Sequence, residues 1–115
     1  MSRKFVITSS HNQQKFNDVS FKGAAVKYEF DFRPWSNDVG GSVTGVTWEV
    51  VNGNGSVSGA SLTDGVATAL VTMSDQGSIL VKVTASTASS GVYVAFLDVL
   101  VKDILTGTDD YGLTV

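Results

Sequence analysis

The sequence predicts an all-β domain: a sandwich of two packed sheets made of about seven short antiparallel strands. Three observations predict it. Apolar and polar residues alternate with a period of two in segment after segment. β-Branched residues dominate the apolar set, and no stretch sustains an apolar stripe at helical spacing. Turn-forming glycine, asparagine and aspartate recur every ten or so residues, the spacing of short strands in a sandwich.

The segments follow in order. Lys4-Phe5-Val6-Ile7-Thr8 opens the chain as a short strand over 4–8. The strand over 24–32 is the clearest, with Val26, Tyr28, Phe30 and Phe32 on one face and Lys27, Glu29 and Asp31 on the other. The loop from Arg33 to Gly41 carries the single proline, Pro34. Val46, Trp48 and Val50 form the inner face of a strand over 43–51, with Trp48 as a core residue. Asn52-Gly53-Asn54-Gly55 and Asp64-Gly65 supply the positive φ angles of tight hairpins, bounding strands over 56–62 and 66–73. Ile79, Val81 and Val83 face inward from a strand over 78–86, and a last strand runs over 91–102.

A chain of 115 residues is one domain, and a hydrophobic fraction of 43% can fill one core. There are no cysteines, which excludes disulfides, thiolate zinc sites and cysteine nucleophiles. A net charge of −3 argues against general nucleic-acid binding. No apolar run approaches the roughly 20 residues that span a bilayer. The first residues hold too few apolar side chains for a secretory leader, so the expectation is a product made in the cytoplasm. Charge is unevenly spread. Up to Arg33 there are six basic and three acidic residues, and from Pro34 onward two basic and eight acidic, giving parts of +3 and −6. Solvated surface charge explains this, or complementarity between neighbouring copies in an assembly.

From Gly45 a known pattern emerges. Gly45-Val46-Thr47-Trp48-Glu49-Val50, Asn54-Gly55-Ser56-Val57-Ser58, Thr63-Asp64-Gly65-Val66-Ala67-Thr68 and Gly77-Ser78-Ile79-Leu80-Val81-Lys82-Val83-Thr84-Ala85 together resemble bacterial immunoglobulin-like (Big-type) domains. The resemblance covers roughly residues 42–86 and implies an immunoglobulin-like β-sandwich over 1–102, followed by a C-terminal arm, 103–115. The opening strand, Tyr28-Glu29-Phe30-Asp31-Phe32 and Val46-Thr47-Trp48 are also similar to small tailed-phage proteins of the fiber-tail adaptor kind. That likeness implies a non-enzymatic virion structural protein, synthesised in the host cytoplasm. Such a protein joins other neck, tail or fiber proteins in multiple copies of a symmetric assembly, without nucleic acid, membrane or cofactor. The alternative is a carbohydrate- or host-surface-binding module.

Residues with chemical potential are few. Ser9, Ser10 and His11 are adjacent, and neighbours on an extended chain point to opposite faces, so no nucleophile–base pair is expected. Glu29 and Glu49 lie on outward strand faces, an arrangement that does not form a glycosidase pair. Asp64 and Asp75 are isolated in turns, and Asp109-Asp110 lacks the alternating acids of a calcium loop. No catalytic, metal or cofactor residue is therefore assigned.

The binding candidates are apolar. Trp35, in the loop after Pro34, either caps one end of the sandwich or presents a platform for a sugar or an interface. Val92 to Val101 is apolar on both faces, which implies a bulge that switches faces or a partner laid over Tyr93, Leu97 and Val99. The arm after Lys102 is too apolar for a purely solvated tail, and Tyr111 and Leu113 are its expected anchors on another subunit.

Overall fold

The computed structural model describes residues 2–8, 13–39 and 41–103. Eight strands and one short helix follow in the order β1 (Ser2–Val6), β2 (Gln13–Phe21), β3 (Ala25–Asp31), α1 (Arg33–Val39), β4 (Val43–Asn52), β5 (Gly55–Thr63), β6 (Val66–Met73), β7 (Gly77–Thr87) and β8 (Val92–Lys102). They form two four-stranded sheets, ordered β1-β3-β6-β5 (sheet A) and β2-β8-β7-β4 (sheet B). Each of the seven expected strands is present, shifted at its ends by no more than two residues.

Two departures are informative. The first is β2, an eighth strand, in a segment that sequence periodicity left blank. Its side chains alternate, but apolar residues fall on both faces: Phe16 inward, Val19 and Phe21 outward. Its inward face also carries Asp18 and the buried Ser20, so no apolar–polar period emerges. With β2 in place the sandwich is not wholly antiparallel, because β1 runs parallel to β3 and β2 runs parallel to β8.

The second departure is α1, where a loop was expected. Pro34 sits in its first turn, where a missing N–H costs nothing. The Asp31 carboxylate accepts the Arg33 amide at 3.0 Å, and the Ser36 amide donates to Phe32 at 2.9 Å. Two turns are too short to display an apolar stripe, and only Trp35 and Ser36 are buried.

The core lies between the sheets. Tyr28, Phe30 and Phe32 from β3 and its end face Val81, Val83, Leu97 and Val99 from β7 and β8, all fully buried. Aromatic rings fill one flank: Phe5 stacks on Phe16 at 4.7 Å, and Phe30 meets Trp48 edge-on at 5.4 Å. Trp48 is half-buried, packed on this cluster from the edge strand β4. The hairpin turns use the expected residues, with Gly53 at φ +89°, Asp64 at +51° and Gly65 at +79°.

Candidate functional site

The two outer faces of the sandwich differ in chemistry. In a sheet, residues paired across strands share a face, so the registers assign every side chain. Sheet A presents Lys4, Lys27 and Glu29 with a field of hydroxyls, Ser56, Ser58, Ser61, Thr63, Thr68 and Thr72. Its exposed large apolar residues are Val6 and Leu70.

Sheet B is mixed, carrying Lys15, Asn17, Glu49, Ser78, Lys82 and Thr84 on its outer face together with more exposed apolar side chains. On its outer face Val19 of β2 lies directly beside Leu100 of β8, at 45% and 46% exposure, with Phe21 next along β2. Val92 is 62% exposed at the other end of β8, and Val94, Phe96 and Leu80 lie half-buried between. Phe96 sits in register between Lys15 and Lys82. Asp98 occupies the same face and forms an ion pair with Lys15 at 3.2 Å. A shallow hollow of about 460 Å³ lies at this point, lined by Asn17, Val19, Ser78, Asp98 and Leu100 among others.

A second feature is an open cleft of about 580 Å³ at one end of the sandwich, between α1 and the β5–β6 turn. Arg33, Ser36, Asn37 and Asp64 line it, over an apolar floor of Val43 and Leu62. Arg33 is committed to Asp31 through two hydrogen bonds of 2.9 and 2.8 Å, which with a backbone bond hold that carboxyl below its ordinary range.

The buried-edge polar groups tie the fold together. Tyr28 from sheet A donates a 2.6 Å hydrogen bond to Asp18 of sheet B. Arg3 pairs with the same carboxylate and also donates to the Val19 carbonyl at 3.0 Å. Burial pushes the Asp18 carboxyl up, but the hydrogen bonds from Arg3 and Tyr28 outweigh it and the net shift is downward. Burial and the Asp18 contact raise the Tyr28 phenol well above its usual value. Arg3, Lys4, Lys15, Lys22 and Arg33 each meet an aspartate of the same chain. Only Lys15 and Lys22 of the basic part reach acids of the other part, Asp98 and Asp75 with Asp103, whereas Arg3, Lys4 and Arg33 pair with Asp18 and Asp31 within it. Among the described residues no cluster of three metal-binding side chains occurs.

The structure relocates the residues singled out from sequence. Trp35 is 4% exposed, edge-on to Phe32 and Tyr93, so it caps the core and offers no platform. Tyr93, Leu97 and Val99 also face inward, at 4%, 0% and 0% exposure, and a partner cannot reach them. The Tyr93 hydroxyl is buried with no hydrogen-bond partner among the described residues. No register shift interrupts β8, so no bulge switches its faces. The partner-accessible side of β8 is the even-numbered one, with Val92, Val94, Phe96 and Leu100. The sequence held the signal: Asp98 and Lys102 share that parity, and charges mark the wet face. Tyr111, Leu113 and His11 lie outside the described residues, as does the arm beyond Asp103.

No family model and no curated protein matches the chain. Solved structures do resemble it in fold. A cysteine protease inhibitor from Entamoeba histolytica matches with a TM-score of 0.51 at 12% identity, over 88% of this chain and 97% of that one. The PKD domain from KIAA 1837 protein matches at 0.51 and 19% identity, over 76% and 80%. A 2,6-sialyltransferase from Photobacterium sp. JT-ISH-224 matches at 0.52 and 16% identity over 82% of this chain, which spans only 18% of that enzyme. At such identities the likeness concerns the fold alone. The class is an immunoglobulin-like β-sandwich.

Proposed function

We propose that this chain is a non-enzymatic virion structural protein, an immunoglobulin-like adaptor or decoration subunit joining neck, tail or fiber proteins. The observation that carries this reading is the contrast between the two outer faces. A solvated sheet A backs onto a sheet B whose outer face holds Val19, Phe21, Leu100 and Val92 exposed. Clustered exposed apolar side chains mark contact surfaces, whereas scattered ones need no explanation. The resemblance of its strands to small phage adaptors supplies the setting: a virion, with several copies made in the host cytoplasm. The arm 103–115, with Tyr111 and Leu113, is a second contact in the same reading, extending from the last strand, which ends at Lys102.

The test is retention on particles. Tagged protein mixed with isolated neck, tail or fiber components co-sediments with one of them, and a chain ending at Asp103 folds but is retained less. Wild-type protein that binds no virion component overturns the reading.

The carbohydrate-binding alternative keeps one favourable observation, the cleft lined by Arg33, Ser36, Asn37 and Asp64. Trp35 no longer supports it. Glycan binding abolished by Asn37→Ala in an otherwise stable protein would favour this reading over the structural one.

A further inference from the structure

We propose that Asn52 is a site of spontaneous covalent modification, where the chain deamidates through a succinimide closed by the Gly53 backbone nitrogen. The chemistry is independent of any partner the chain joins. The sequence holds two Asn-Gly pairs, Asn52-Gly53 and Asn54-Gly55, in one turn. Glycine has no Cβ to shield its amide nitrogen, so both pairs are reactive in an unfolded chain.

The fold tells the two pairs apart. Asn52 ends β4 and is exposed, and the Gly53 amide donates to its side-chain oxygen at 3.0 Å. The attacking nitrogen and the carboxamide it attacks are thus brought together before reaction, which is what proximity contributes to a rate. A register shift between Val50 and Asn52 interrupts the β4–β7 ladder beside them. Ring closure then needs a rotation about the Cα–C bond of Asn52. For Asn54 the same rotation is opposed. Its carbonyl, in one peptide group with the Gly55 nitrogen, accepts the Ser74 amide at 3.1 Å, and Gly55 is already in register with Met73.

In the reaction a bond forms between the Gly53 nitrogen and Asn52 Cγ, the Cγ–Nδ2 bond breaks, and Nδ2 leaves as ammonia with the Gly53 proton. Water then opens the ring. Attack at Cγ leaves aspartate, and attack at the backbone carbonyl leaves isoaspartate. Either product adds a negative charge to a chain that carries −3. Isoaspartate also lengthens the backbone by a methylene where β4 of sheet B passes to β5 of sheet A. The fold holds the reactive pair in place. Gly53 has φ +89°, and a Cβ there would lie 2.1 Å from the Ser78 carbonyl oxygen, so no other residue fits without strain.

Ageing the intact protein at mildly alkaline pH, followed by peptide mass mapping, is the experiment. The expected result is a gain of about 1 Da at Asn52, accruing about tenfold faster than at Asn54. Methyl transfer by an L-isoaspartyl methyltransferase reports the isoaspartate fraction. In urea, where the fold no longer distinguishes them, the two asparagines convert at similar rates. Asn52→Ser removes most of the acidic shift on isoelectric focusing, and Asn54→Ser leaves it. Asn54 converting as fast as Asn52 in the folded chain overturns the proposal, as does an Asn52 that stays intact while the unfolded chain converts. An unfolded chain that keeps the same preference for Asn52 overturns it too, because the choice would then not come from the fold.

Discussion

The Tyr28 hydroxyl donates to the Asp18 carboxylate at 2.6 Å, joining a central strand of sheet A to the edge strand of sheet B. Arg3 completes the clasp from β1, so three strands from two sheets meet at one carboxylate. The edge strands β1 and β2 pair with strands of different sheets, and this polar contact closes the seam between them. Removing the phenol oxygen by Tyr28→Phe keeps the ring in the core and deletes one bond to a charged acceptor. The expected cost is about 1.5 kcal/mol, read as a lower urea midpoint with an unchanged m-value.

Acid weakens the same clasp in a defined direction. The Asp18 and Asp31 carboxyls are held below their ordinary value of 3.8 in the folded chain. As pH falls through that value the unfolded chain takes up protons first, so stability declines progressively toward the lower folded values. Thermal melts between about pH 5 and about pH 2 should show this loss, and Asp18→Asn should make the decline shallower. At the alkaline end the raised Tyr28 phenol works in the opposite sense. The unfolded tyrosine ionises first, so stability falls as pH climbs above 10.0.

Trp35 separates a core role from a surface role. At 4% exposure, in contact with Phe32 and Tyr93, it should cost about 3–5 kcal/mol when truncated to alanine. Chemical denaturation measures this. A surface platform would lose its ligand with stability untouched, and that outcome would return the tryptophan to the binding role.

Two glycines share a positive φ and differ in surroundings. Gly59 has φ +61° with open space where a Cβ would sit, so Gly59→Ala should cost about 1 kcal/mol. Gly53 has φ +89°, and a Cβ there would lie 2.1 Å from the Ser78 carbonyl oxygen. Overpacking adds to backbone strain, so Gly53→Ala should cost about 3 kcal/mol or more. Melting the two variants side by side checks the difference, which φ alone does not predict.

Most of the fold was legible because β3, β4 and β7 obey the period-two rule and the strands are separated by residues that force turns. The segments that escaped notice are those where local pattern and tertiary role disagree. β2 buries Phe16 beside Asp18 and Ser20, because that face receives Arg3 and Tyr28 as well as Phe5. Neither partner can be read from the strand itself. α1 is too short to carry a period, and Trp35 entered the core because the chain turned back over it, with its amide donating to the Ile7 carbonyl at 3.2 Å.

By itself the sequence determined the strand content, the hairpin positions, the absence of cysteine chemistry and the presence of one strand too apolar for a wetted face. The tertiary structure decided which face that was. In β8 a shift of one residue exchanges Tyr93, Leu97 and Val99 for Val92, Phe96 and Leu100, and both sets are apolar enough to be buried. Pairing with β7 and β2 in one continuous register settled the choice, because only the odd set faces Tyr28, Phe30 and Phe32 across the core. The even set was left outside with Val19 and Phe21, brought alongside by a parallel strand about eighty residues away in sequence. A contact at that separation follows from how the sheets close, and no local pattern of residues encodes it.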